Sequence, residues 1–168
     1  MKISVALCTY NGETFIENQL KSIAEQTVKP FEIVICDDGS TDQTVEKIYS
    51  MQVSILIPIS IHINKVSLGV VQNFAQCISL CCGDYILLCD QDDVWYPNKV
   101  EKLMQKMIQI ETEYSTRTPV LVHSDLEVVD SSCNKLASSF FSLQNIDNVV
   151  PALPTLLVQN FVTGCTCM

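Results

Sequence analysis

ISVALCTYNGETFIENQLKSIAEQTVKPFEIVICDDGS, residues 3–40, sets two apolar runs on either side of a segment with a different period. Ile3 to Cys8 is short, apolar and rich in β-branched residues, and it ends in the turn chemistry of Thr9-Tyr10-Asn11-Gly12. That combination predicts a strand and its loop. From Glu13 to Gln26 the residues Phe15, Ile16, Leu20, Ile23 and Ala24 recur at spacings of three and four, the pattern of one helical face. Lys29-Pro30 breaks the chain, and Phe31 to Cys36 forms a second apolar run that stops at Asp37-Asp38-Gly39-Ser40. Strand, helix and strand in this order predict a parallel βαβ unit.

The alternation continues outward from this unit. Ser40 or Thr41 suits the N-cap of a helix through Val45 and Ile48. Ile55 to Ile63 reads as a third strand, Val70 to Cys81 as a helix, and Tyr85 to Cys89 as a fourth strand running into Asp90-Gln91-Asp92-Asp93. After Pro97, the residues Val100, Leu103, Met104, Met107 and Ile108 mark an amphipathic helix. Val120 to His123 predicts a fifth strand and Val128-Val129 a short one, with a polar loop from Ser131 to Asn148, a short helix over Leu153 to Val158, and the start of a further strand over Phe161 to Cys165. The expected fold class is α/β, a three-layer α/β/α sandwich around a mostly parallel, Rossmann-like sheet, in one domain over residues 1–168. The abrupt apolar end at Met168 reads as a truncated domain.

Composition narrows the partners. A hydrophobic fraction of 48% and mean hydropathy of +0.25 describe a packed chain rather than a disordered one. The net charge of −9, with no basic cluster, excludes nucleic acid as a partner. An acidic chain still binds phosphates when a divalent cation stands between them and its carboxylates. The longest apolar run, Val53 to Ile63, is interrupted by Ser54, Pro58, Ser60 and His62, so no transmembrane segment is expected. Nine scattered cysteines, an odd count, read as reduced and mostly buried thiols of a cytoplasmic protein, and the Cys165/Cys167 spacing lacks the second pair a metal site needs. His62 and His123 are isolated beside apolar residues and read as structural.

Three polar loops close consecutive apolar strands: Thr9-Tyr10-Asn11, Asp37-Asp38-Gly39-Ser40 and Asp90-Gln91-Asp92-Asp93. In a parallel sheet these ends share one edge, where ligands bind, so the loops should converge. Three carboxylates within four residues repel one another unless a cation or protons neutralise them, and Mg2+ or Mn2+ takes such hard oxygen ligands together with substrate phosphates. The same acidic turn equally suits a helix N-terminus. Asp37 and Asp38 fit either an ordinary DG turn or the acceptor of a hydrogen bond from a base or ribose. Tyr10 suits stacking on a base or covering the sheet edge, and Trp95 suits packing of the helix start or contact with a ligand.

The blocks SVALCTYNGETFIENQLKSIAEQT, EIVICDDGSTDQT and GDYILLCDQDDVWYPNKV, in this order and spacing, resemble the family 2 glycosyltransferases with their A-type nucleotide-sugar fold. The match runs from Lys2 to about Val100, and the DQDDVW form with the closing QNFVTGC is similar to rhamnosyltransferase-like members of bacterial surface-polysaccharide synthesis. The resemblance implies a donor-binding half over about residues 1–100 and an incomplete acceptor-side portion over about residues 101–168. It implies that Thr9, Tyr10, Asn11, Asp37, Asp38 and Asp90 bind the donor nucleotide: Tyr10 stacks near uracil or thymine, Asp38 bonds the base with Asp37 beside it, and Asp90 contacts ribose or sugar. The resemblance further implies that Asp92, the last carboxylate of the DxD motif, binds the metal, with Asp93 as the alternative ligand. Cys8 departs from the Pro or Thr common at its position.

The activity implied is a metal-dependent, inverting transfer from a UDP- or dTDP-linked sugar to a saccharide or lipid-linked acceptor, in the cytoplasm or peripherally at the inner face of the membrane. The family places its general base downstream, beyond Met168, although Asp125, Glu127 and Asp130 also follow a strand. A donor-binding piece without turnover is the alternative. A nucleotidyltransferase should carry a basic, Gly-rich phosphate loop near the N-terminus, which Thr9-Tyr10-Asn11-Gly12-Glu13 is not.

Overall fold

The computed structural model describes residues 1–115, 117–146 and 162–168. Four parallel strands, β1 (Ile3–Thr9), β2 (Glu32–Asp37), β3 (Ile59–Ile63) and β4 (Tyr85–Asp90), lie in the order β3-β2-β1-β4. Helices α1 (Ile16–Ala24), α2 (Thr44–Gln52) and α3 (Val70–Leu80) connect them, and α4 (Lys99–Tyr114) follows β4. The expected α/β class holds for the described residues.

Every residue of β1 is buried because helices cover both faces of the sheet, which is why the strand reads as a continuous apolar run. On one face Val5, Leu7, Ile33, Ile35 and Leu87 pack under Ile16, Leu20 and Ile23 of α1, Ile48 of α2 and Val100, Leu103 and Met107 of α4. On the other, Ala6, Cys8, Val34 and Cys36 meet Cys77 and Phe74 of α3. These small side chains let α3 lie close to the strands, and the Cys77 thiol donates to the Val34 carbonyl at 3.2 Å.

The element boundaries differ from the sequence reading at several places. Strand β3 begins at Ile59 rather than Ile55, because the Ile55 amide still bonds the Met51 carbonyl behind α2 and Pro58 has no amide to donate. Neither Ser40 nor Thr41 caps α2, which starts at Thr44; the Asp42 carboxylate accepts from the Thr44 amide instead. The polar stretch after Ser131 contains strand β6 (Lys135–Ala137), antiparallel to β5 (Val128–Val129), and one turn of helix, α5 (Phe140–Leu143).

The strands expected at Val120–His123 and Phe161–Cys165 are not formed among the described residues. A 3-10 turn over Gly164–Thr166, tightened by the Thr166 hydroxyl on the Thr163 carbonyl, precedes a single bridge between His123 and Cys167. The final residues nevertheless run along the open side of β4. The Leu88 amide donates to the Cys167 carbonyl at 3.2 Å, and Val122 and Met168 exchange backbone bonds at 3.0 and 2.8 Å. The helix expected over Leu153–Val158 lies outside the described residues.

Candidate functional site

From β1 the chain winds outward through β2 to β3 and then returns to β4 on the opposite side of β1. The carboxyl ends of β1, β2 and β4 are level, with Thr9 opposite Asp37 and Cys8 opposite Asp90. This reversal opens a crevice above β1. The three loops picked out by the sequence therefore converge.

The first two loops are knitted together. The Asn11 amide donates to Ser40 Oγ at 2.9 Å, and Asn11 Oδ1 accepts from the Thr41 amide at 2.9 Å. Asn11 takes φ 49°, a left-handed conformation that Asn tolerates better than most residues. Asp37 is fully buried and already bonded: Thr9 Oγ1 and Ser40 Oγ donate to Oδ2 at 2.7 and 2.6 Å, and the Gly39 and Ser40 amides donate to Oδ1 at 3.1 and 2.7 Å. Thr9, Asn11 and Asp37 thus shape the loops, while Tyr10 is exposed beside the crevice.

Asp38 carries a second set of donors that sequence reasoning missed. Asn64 Nδ2 and the Leu68 amide reach Oδ1 at 2.9 and 2.7 Å, and Ser67 Oγ and the Gly69 amide reach Oδ2 at 2.7 and 2.9 Å. Burial alone would raise its pKa, but the bonds from Leu68, Ser67, Asn64 and Gly69 outweigh it and bring the carboxyl down to about 2. Asn73 on α3 completes the set by donating to the Cys36 carbonyl and accepting from Asn64. Ser67-Leu68-Gly69 directly before α3 was the available signal, since a helix N-terminus attracts a carboxylate.

Between these groups and the acidic loop lies a cavity of about 330 Å³, lined by Tyr10, Asp38, Asn73, Phe74, Asp90 and Asp92 among others. Cys8 also reaches its wall. The acidic loop divides its carboxylates. Ligand atoms of Asp90, Asp93 and Cys165 lie within 4.8 Å of one another, whereas Asp92 is exposed and borders both this cavity and a larger one of about 880 Å³.

Burial, with Asp93 and Asp92 as neighbours, raises the Asp90 pKa against the opposing pull of Lys99. Burial likewise raises Asp93 despite the Cys165 thiol and Lys99. Lys99 is itself lowered by burial; its ammonium donates to the Cys165 carbonyl at 2.7 Å and lies 4.2 Å from the centre of the Trp95 ring. Asp93 Oδ2 is buried with no hydrogen-bond donor found for it among the described residues. Lys99 acts on both Asp90 and Asp93, which leaves a negative excess and an unsatisfied oxygen that suit a hard divalent ion; the Cys165 sulfur is the softer member of the set.

The larger cavity is walled by Tyr96, Lys102, Asp125, Glu127 and Asp130 among others. The last three carboxylates are committed elsewhere. Asp125 accepts from Ser139 Oγ and the Phe141 and Leu126 amides, Glu127 pairs with Lys135, and Asp130 accepts from Asn134 and the Ser132 amide. All three are held below the usual carboxylate range: at Asp125 hydrogen bonds overcome burial, and at Glu127 and Asp130 the bonds from Lys135 and Asn134 lead. Trp95 is buried, its amide donating to Ser22 Oγ at 3.0 Å, so it packs the start of α4. His123 meets the edge of the Phe141 ring, and His62 sits within β3.

An open parallel sheet with carboxylates gathered at its switch point is the frame of a nucleotide-binding α/β domain. The chain belongs to glycosyl transferase family 2, whose family model matches residues 4–136. It is 40% identical over 107 residues to the dTDP-rhamnosyl transferase RfbG of Shigella flexneri, covering 61% of this chain and 37% of that one. The fold is shared with S. aureus TarS 1–349, solved with UDP-GlcNAc, at a TM-score of 0.57 and 23% identity over 77% of this chain and 40% of that one. It is shared too with the mannosyltransferase PcManGT of Pyrobaculum calidifontis, solved with GDP-Man and Mn2+, at a TM-score of 0.57 and 21% identity over 62% and 31%. These neighbours are glycosyltransferases of the A-type fold, and the chain spans well under half the length of each of the three.

Proposed function

We propose that these residues form the donor-binding half of a metal-dependent, inverting glycosyltransferase. It moves a sugar from a UDP- or dTDP-linked donor to a saccharide or lipid-linked acceptor in surface-polysaccharide synthesis, in the cytoplasm or peripherally at the inner face of the membrane. No helix among the described residues is long and apolar enough to cross a membrane. The observation that carries the reading is the single crevice with Tyr10 and Asp38 on one wall and Asp90 and Asp92 on the other. A nucleoside diphosphate has this polarity, with a flat hydrogen-bonding base at one end and phosphates at the other.

In this reading Tyr10 stacks on the base and Asp38 accepts its N–H. Four donors already occupy the Asp38 carboxylate, so one must yield, and the exposed Ser67 hydroxyl is the donor free to rotate away. Asp37, Thr9 and Asn11 hold the base-side loops, and Asp90 meets ribose or sugar. Asp92 and Asp93, with Asp90 beside them, would hold Mg2+ or Mn2+, which when bound offsets the charge of the departing diphosphate. PcManGT was solved in complex with GDP-Man and Mn2+, which supports a divalent ion here.

The larger cavity beyond Asp92 suits the acceptor, whose hydroxyl must lose a proton as it attacks the anomeric carbon. Asp125, Glu127 and Asp130 are each bonded and acidified, and none is assigned as that base. The same observation favours a second reading for these 168 residues, donor binding without turnover.

The test is calorimetric titration of UDP and dTDP into the folded chain with and without Mn2+, using Asp92→Ala as the control. Binding that needs the metal and disappears in Asp92→Ala is expected. Binding indifferent to both, or none at all, would overturn the reading.

A further inference from the structure

Gln91 stands between two carboxylates of the acidic loop, yet its side chain turns back to the loop after β1. Its Nε2 donates to the Tyr10 carbonyl at 3.0 Å, and its Oε1 accepts from the Tyr10 amide at 2.9 Å. The carboxamide thus pairs with a backbone residue as one strand residue pairs with another, using its donor and its acceptor together. Tyr10 follows β1 and Gln91 follows β4, so the two bonds bridge the crevice at the point where the sheet reverses.

The bridge needs room that only glycine leaves. A Cβ on Gly12 would stand 2.2 Å from Gln91 Oε1 and 2.4 Å from its Cδ. The loop is not free to retreat, because the Gly12 amide is held by Thr44 Oγ1 at 2.8 Å and its carbonyl accepts from Phe15 and Ile16 at 3.0 and 3.1 Å. A side chain at Gly12 would therefore move the flexible end of Gln91 rather than the backbone.

We infer that Gln91 is a positioning residue that fixes Tyr10 relative to Asp90 and Asp92, and that position 12 is glycine to admit its carboxamide. The inference rests on the nucleotide reading above: a ligand touching both walls meets a span set in advance, so less ordering remains for binding to supply.

The experiment titrates UDP and dTDP with Mn2+ into wild type, Gln91→Ala, Gly12→Ala and the double variant, each shown folded by circular dichroism. Hydrogen exchange at the Tyr10 amide is followed in parallel. Each single variant should lose about tenfold in affinity, a usual size for coupling between two elements of a site. Both should speed exchange at Tyr10, and the double variant should be no worse than either single one. Gln91→Glu keeps the acceptor for the Tyr10 amide and loses the donor, so it should fall between wild type and Gln91→Ala. Failure of the wild type to bind either nucleotide would sink the nucleotide reading and this inference together. Wild-type binding left unchanged in Gln91→Ala and Gly12→Ala would overturn this inference alone, and so would losses that add in the double variant.

Discussion

Thr9 and Asp37 stand opposite one another at the ends of β1 and β2, both buried, and the Thr9 hydroxyl donates to Asp37 Oδ2 at 2.7 Å. Thr9→Val keeps the shape and removes the donor, leaving a buried charged oxygen short of one bond. A loss of about 1–3 kcal/mol in urea unfolding is expected. Thr9→Ser, which keeps the hydroxyl, should lose clearly less; equal losses would assign the effect to packing.

Asp38 gives the fold an acid-sensitive element. Its folded pKa of about 2 lies below the ordinary 3.8, because the donors of the loop before α3 outweigh burial. A depressed carboxyl stabilises the fold fully above the ordinary value, and that contribution fades as pH falls from about 4 toward 2. Urea midpoints measured across this range should drop less steeply in Asp38→Asn than in wild type. An unchanged slope would show that the loop does not hold the charge.

Asp93 carries the opposite sign. Burial and the neighbouring Asp92 raise its pKa, so holding its charge costs the fold some stability relative to the unfolded chain. Asp93→Asn should therefore unfold at a higher urea concentration than wild type when metal is absent. In the proposed site the same substitution should shrink the rise in melting temperature produced by Mn2+. A variant less stable without metal would contradict the electrostatic account.

Thiol chemistry offers a direct check of the packing. Of the nine cysteines, Cys82 and Cys133 are exposed and Cys81 is half-buried, while the other six are buried. Burial drives the Cys89 thiol well up, and a bond to Cys77 leads the rise at Cys36. Native protein should react quickly with a disulfide reagent at Cys82 and Cys133, and the buried thiols should follow only on unfolding. Rapid labelling of Cys77 or Cys89 would mean that the covering helices open.

Much of the first hundred residues was legible because each apolar run is bounded by turn residues and each helix keeps its period. Strand β1 and helix α4 needed no tertiary information. The loops also converge as the parallel topology requires. What the sequence concealed lies in bonds between distant residues. Asn64, Ser67 and Asn73 look like ordinary polar residues until the fold sets them around Asp38, and Gln91 looks like a spacer between carboxylates until its side chain meets Tyr10. Cys165 reaches Asp90 and Asp93 only because the segment after Val162 returns along β4. The apolar Val120–His123 run mimics a strand, but it meets the tightly turned Gly164–Thr166 segment and keeps one bridge.

The bond from Leu88 to Cys167 also bears on how the protein behaves at high concentration. β4 is the outermost parallel strand on its side, and the returning segment occupies backbone that would otherwise be offered to another molecule. A chain cut before Gly164 should lose this shield and self-associate through β4, visible as concentration-dependent light scattering. Solubility would then rest on the five residues Gly164 to Met168.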